Sequence, residues 1–168
     1  QYKVEFEAHL MVQDPIDYIA PLKSKGIMKF IFHIEAMPDP SSTIDLIRDI
    51  KNQSLTCFIA INPKTSPSLL VPFLHMVDGV LVMGVVPGKE KQPFIPKMYD
   101  IIEEILEFKK KIIIEVDGGV TLNVAKRLSS IGVSLINSGS FISKSKDPKG
   151  SYDKLLISFN EGKKLAKI

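Results

Sequence analysis

The chain has 168 residues, 45% apolar and 24% charged, with a net charge of +3 at neutral pH, enough for one globular domain with a substantial core. Its basic residues are scattered, and short clusters at Lys109–Lys111 and Lys163–Lys167 read as solvated helix ends, so a nucleic-acid or membrane partner has no support. The single cysteine, Cys57 in TCFIAI, excludes an internal disulfide framework and fits a buried, inert thiol in a reducing cytoplasm, and no apolar run reaches the ~18 residues of a membrane span.

No initiator Met opens the chain, and a strand pattern, VEFEAHL from Val4, is running within a few residues. A helix follows in PIDYIAPLKSKG, with Pro15 at the first helical position and Gly26 as its stop. KFIFHIE from Lys29 is a second strand, and SSTIDLIRDIKNQ a helix with Ser41, Ser42 and Thr43 as cap candidates. TCFIAI from Thr56 precedes a helical pattern, SPSLLVPFLHMV; GVLVMGV from Gly79 precedes the long IPKMYDIIEEILEFKKK. IIIEVDG from Ile112 leads to TLNVAKRLSSIG, ended by Gly132, and VSLINSG from Val133 leads to SYDKLLISFNEGKKLAKI. The strands are near-continuous apolar runs, as parallel strands covered on both faces require. Strand and helix alternate six times, which predicts an α/β fold with a parallel sheet. Both a doubly wound sheet and most of an eight-unit barrel fit that rhythm. The GxGxxG and GxxxxGK[ST] phosphate motifs are absent.

In either architecture, ligands gather at the C-terminal ends of the strands. Those ends carry His9, His33 with Glu35, Asn62, Met83, Asp117-Gly118-Gly119 and Ser138-Gly139-Ser140. The DGG and SGS turns each follow a strand and precede a helix, where small residues let backbone N–H groups approach a phosphate. Simple turn chemistry, with Ser140 or Thr121 as an N-cap, fits them as well. His9 reads as a hydrogen-bonded interior histidine or, paired with Asp117, as a ligand of a divalent cation. Two ligands are too few for a stable site. His33 and Glu35 share one face at i, i+2 and read equally well as structural polar contacts.

The stretches EAHLMV, FHIEA, INPKT, VDGVLVMGVVPG, KQPFIPK, IEVDGGV and NSGSFI occur in an order and spacing that resemble the ribulose-phosphate 3-epimerase family over nearly the whole chain. The resemblance implies a TIM (β/α)8-barrel, with about six βα units here, starting at the third barrel strand. Residues 1–168 are then a single, N-terminally incomplete domain. It implies epimerisation at C3 of a ketopentose phosphate, D-ribulose 5-phosphate to D-xylulose 5-phosphate, in the pentose phosphate pathway. The family holds a divalent metal ion (Zn, Fe, Mn or Co) with two histidines and two aspartates. His9 and Asp117 match one of each; the other pair lies on a strand reading approximately HLDVMDG, which has no counterpart here. The metal stabilises an enediolate, and inversion takes one aspartate per face, so Asp117 is implied as one of the two acid/base carboxylates. Met11 and Met83 match site-lining methionines. His9, Gly88, Gly118, Gly119, Gly139 and Ser140 match positions that hold the substrate and its phosphate.

Two departures bear on this. The family loop close to SVNPGFGGQKF reads GVVPGKEKQPF here, with Glu90 and Lys91 in place of glycines and Val86 in place of asparagine. Lys89 or Lys91 could serve the phosphate as a point charge with Glu90 opposing it, or the loop is simply solvated. Glu7 stands where the family has an aspartate two residues before the histidine. Such changes leave open a hexulose-6-phosphate 3-epimerase, or a catalytically impaired relative that binds a sugar phosphate or serves as an interaction module. An open six-strand sheet exposes two edges, which predicts aggregation or a homo-oligomer.

Overall fold

The computed structural model describes residues 4–88 and 92–166. Six strands, β1 (Glu7–Leu10), β2 (Lys29–His33), β3 (Thr56–Ile61), β4 (Gly79–Met83), β5 (Ile113–Asp117) and β6 (Leu135–Asn137), pair in chain order. Every pairing is parallel. The helices are α1 (Ile16–Lys23), α2 (Pro40–Asn52), α3 (Met98–Phe108), α4 (Leu122–Ser130), the single turn α5 (Ser140–Ser143) and α6 (Pro148–Leu165).

The sheet is strongly curled. Five inter-strand steps of about 4.8 Å would put the edges of a flat sheet roughly 24 Å apart. Yet the Asn137 amide on β6 reaches the Glu7 carboxylate on β1 at 3.3 Å. The six strands form a half-barrel, most of a (β/α)8 barrel, rather than the doubly wound alternative.

Side-chain alternation divides the strands between two faces. Phe30, Phe32, Ile59, Ile61, Val80, Val82, Ile114 and Val116 point outwards and are sealed beneath the helices in the main core. Ile31, Phe58, Ala60, Leu81 and Met83 point inwards as a smaller apolar cluster. Cys57 is buried, and desolvation pushes its thiol up to about 12, which agrees with an inert role.

All six predicted strands are present within two or three residues, TCFIAI to the residue. The segment SPSLLVPFLHMV is not an α-helix: one 3₁₀ turn at Pro67–Leu70 is followed by irregular turns. Pro72 has no N–H to donate and its ring crowds the preceding turn, which works against a continuous helix over this spacing. The cap of α2 is Asp39, whose carboxylate accepts the Ser42 N–H at 2.8 Å, rather than Ser41, Ser42 or Thr43. Gly162 of α6 is buried against α4, where a Cβ would meet the Lys126 carbonyl oxygen at 2.0 Å.

Candidate active site

His9 ends inward on β1 and Asp117 ends inward on β5, with His9 Nδ1 3.7 Å from Asp117 Oδ2. His9 Nε2 faces His33 Nε2 at 2.9 Å, with the rings within 12° of parallel. His33 Nδ1 lies 3.2 Å from Glu35 Oε2. The second Glu35 oxygen accepts the Asn62 N–H at 2.8 Å and the Thr65 hydroxyl at 2.5 Å. Burial works against the Glu35 charge, but hydrogen bonds from His33, Thr65 and Asn62 outweigh it and hold the carboxyl below its ordinary range. Asn62, another of the strand-end residues, keeps its side-chain oxygen buried without a partner among the described residues.

Asp117 lines a cavity of about 920 Å³ that also takes in Met11, Met83, Gly88, Gly118, Gly119, Asn137, Gly139 and Ser140. It is the only carboxylate among the described residues of that lining. Met83 is buried and Met11 is exposed on the rim. His9 is not part of the cavity wall but touches it through Asp117.

The DGG turn has a steric reason for its glycines. Gly118 and Gly119 have φ of +103° and +68°, a region that costs other residues. A Cβ on Gly119 would meet the Phe94 nitrogen at 2.4 Å. Gly139 is different: its φ is −83° and a Cβ there would meet nothing within 4 Å. Gly88 has φ +102°. Ser138 Oγ donates to the Val120 carbonyl at 3.4 Å and links the two turns. Neither Thr121 nor Ser140 makes a side-chain capping bond; Thr121 is the N-cap residue of α4 and Gly139 that of α5. Gln92 closes its loop by donating to the Val86 carbonyl at 2.6 Å. Lys89, Glu90 and Lys91, the altered part of that loop, lie outside the described residues.

A polar group inside the half-barrel escaped the reading by strand ends. The Lys29 ammonium sits between the carboxylates of Glu7, at 2.6 Å, and Glu115. It also lies 4.1 Å above the Phe58 ring. Asn137 donates to Glu115 at 2.7 Å. Glu115 is 1% exposed; burial drives its carboxyl above the ordinary range, with Glu7 adding to the rise and Lys29 opposing it. Burial pushes Glu7 the same way, but hydrogen bonds with Lys29 and Glu115 and the Lys29 charge hold it below that range. Period-2 parity was the available signal, since Glu7 shares the face of His9, Lys29 that of His33, and Glu115 that of Asp117.

The donor chemistry suits a divalent cation. Metal–ligand bonds of about 2.1 Å at a tetrahedral angle put two donors about 3.4 Å apart, close to the separation of His9 Nδ1 and Asp117 Oδ2. Among the described residues no group of three or more His, Cys, Asp or Glu is placed to hold an ion. The pair therefore fits as part of a ligand set.

Comparison with known proteins identifies the family. The model of the ribulose-phosphate 3-epimerase family matches residues 1–143. The chain is similar to ribulose-phosphate 3-epimerase of Schizosaccharomyces pombe, 33% identical over 144 residues, covering 86% of this chain and 62% of that protein. It is likewise similar to the cytoplasmic isoform from Oryza sativa subsp. japonica, 33% identical over 149 residues, covering 87% and 64%. The chain thus spans less than two thirds of the length of these relatives. Among solved structures, 3-hexulose-6-phosphate synthase from Salmonella typhimurium superposes with a TM-score of 0.72 at 18% identity, over 94% of this chain and 74% of that one, which speaks for the barrel fold alone. With a family match that runs from the first residue past the SGS turn, and a half-barrel that gathers the matched residues at one end, the chain belongs to the ribulose-phosphate 3-epimerase family.

Proposed function

We propose that the whole protein inverts C3 of a ketopentose phosphate, interconverting D-ribulose 5-phosphate and D-xylulose 5-phosphate, with Asp117 as one of its two acid/base carboxylates. The observation that carries this reading is Asp117 itself, a carboxylate at the wall of a cavity that also runs along the DGG and SGS turns. The sugar lies across the buried Met83 with Met11 at the rim, and its phosphate rests against Gly118, Gly119, Gly139 and Ser140, with Gly88 at the mouth. Backbone N–H groups with no intervening Cβ can approach an anion closely there.

Asp117 takes the C3 proton, or returns one to that face, and the electron pair left behind delocalises onto the neighbouring carbonyl as an enediolate. Reprotonation from the opposite face inverts the centre. A second carboxylate for that face is not among the described cavity residues, where Asp117 is the only one. A divalent ion held by His9 Nδ1 and Asp117 Oδ2 with further ligands would supply Lewis acidity at the substrate oxygens. His9 keeps its ring beside Asp117, where the two can serve as fellow ligands. Met83 excludes water from the reacting face.

Proton NMR of xylulose 5-phosphate in D2O with added divalent metal tests this. The whole protein should place deuterium at C3 with inversion, and Asp117→Asn should abolish it. Equal exchange in the Asp117→Asn variant would remove Asp117 from the reaction.

A further inference from the structure

We infer that Glu35, acting through His33, sets the ring tautomer of His9 so that Nδ1 turns a bare lone pair towards Asp117. The inference rests on the reading of His9 as a metal ligand, and it makes Glu35 and His33 positioning residues for that site.

The argument is one of donor and acceptor capacity. An ionised carboxylate only accepts. Glu35 Oε1 is already taken by the Asn62 N–H and the Thr65 hydroxyl, and Oε2 faces His33 Nδ1 at 3.2 Å. His33 Nδ1 must therefore carry the hydrogen. A neutral imidazole has one N–H, so His33 Nε2 is an acceptor. His9 Nε2, 2.9 Å away, must then be the donor, and His9 Nδ1 is left bare.

The opposite order fails at the Glu35 end. A hydrogen on His33 Nε2 would set a bare Nδ1 against a carboxylate oxygen, two acceptors facing each other. It would also leave His9 Nδ1 protonated and unable to bind an ion. Asp117 does not compel that order, because 3.7 Å is beyond hydrogen-bond reach. The two rings lie within 12° of parallel with their centroids 5.0 Å apart. Burial of His33, at 6% exposure, keeps water from replacing its partners. Ligand histidines commonly have the second nitrogen fixed in this way; here the anchor is a carboxylate two imidazole nitrogens and one ring removed.

Glu35→Gln is a sharp test because the backbone N–H of Asn62 cannot reverse. The glutamine oxygen must stay on Asn62 and Thr65, which turns the NH2 group towards His33 Nδ1 as a donor. The whole relay then inverts. Long-range 1H–15N correlation of the 15N-labelled chain, at about pH 8 where free histidine is neutral, reads each ring nitrogen directly without metal or substrate. The wild type should show hydrogen on His9 Nε2 and His33 Nδ1, and Glu35→Gln should move them to His9 Nδ1 and His33 Nε2. A wild-type His9 protonated at Nδ1 overturns the proposal, as does an unchanged pattern in folded Glu35→Gln. The wild-type spectrum decides even if the variant fails to fold. In the whole protein, Glu35→Gln should weaken Co²⁺ binding about 10-fold or more. The expected tautomers with no Co²⁺ binding by the wild type would sink the epimerase-site reading and leave the relay standing.

Discussion

The Gly84 N–H donates to the Asp117 carbonyl oxygen at 2.6 Å, and this bond fixes the end of β5 against the end of β4. A Cβ on Gly84 would stand 2.3 Å from the Gly118 carbonyl oxygen and 2.7 Å from the Phe94 ring. Gly84→Ala should therefore push the DGG turn away from β4. We expect a loss of about 1–3 kcal/mol, the usual cost of overpacking, read as a lower urea midpoint. A variant with wild-type stability and wild-type exchange at C3 would show that the turn yields freely.

Lys29 neutralises a carboxylate that has almost no access to water. Lys29→Met leaves Glu115 buried and uncompensated, at a cost of about 3–5 kcal/mol at neutral pH. The Glu115 carboxyl is already raised by burial and rises further without Lys29. A group with a raised folded pKa favours the fold below its unfolded value of 4.5 and loses that contribution as pH climbs through the folded value. The deficit of Lys29→Met should accordingly be largest at neutral pH and shrink on acidification. Urea denaturation at several pH values would reveal a pH-independent deficit if packing over Phe58, rather than charge, were the cause.

Glu35 has the opposite sign. Its carboxyl is held low, although burial opposes this, by His33, Thr65 and Asn62. Its contribution is present above the unfolded value of 4.5 and fades as pH falls through the folded one. Against Glu35→Gln, the wild type should be more stable by about 2 kcal/mol at neutral pH, and the two curves should converge in acid. Parallel curves would mean that Glu35 is not ionised in the fold.

Gly119 and Gly139 separate stability from binding. Gly119→Ala meets both a positive φ and the Phe94 backbone, so unfolding should come earlier by more than about 1 kcal/mol. Gly139→Ala meets open space at the cavity wall and should stay within about 0.5 kcal/mol of wild type. Its methyl group should still weaken inorganic phosphate, by titration calorimetry, and raise KM for the sugar phosphate. Unchanged phosphate affinity in Gly139→Ala would take the SGS turn out of the anion site.

Strands β1 and β6 end the sheet, and Val4, Phe6 and Leu135 nearby are 63%, 65% and 43% exposed. Bare edges and apolar side chains favour self-pairing. The 168-residue chain should associate with rising concentration in light scattering; a monodisperse monomer would count against this.

Local chemistry made much of this protein legible in its sequence. Near-continuous apolar runs such as TCFIAI mark parallel strands because a two-faced burial leaves no polar position, and glycines such as Gly119 mark turns because other residues cannot take their φ. His9, Asp117 and the DGG and SGS turns were visible as polar or small residues at strand ends. His33 and Glu35 were visible together at i, i+2, whereas Lys29 and Glu115 were missed by a reading confined to strand ends, although strand parity carries them. Local pattern failed at SPSLLVPFLHMV, where apolar spacing suggested a helix that Pro72 disfavours. What no local pattern could supply was the curl of the sheet. It alone brings Glu7 on the first strand to Asn137 on the last and sets Lys29 between the carboxylates of β1 and β5. Partners across a barrel are chosen by strand tilt and stagger, which are properties of all six strands together and are written in none of them.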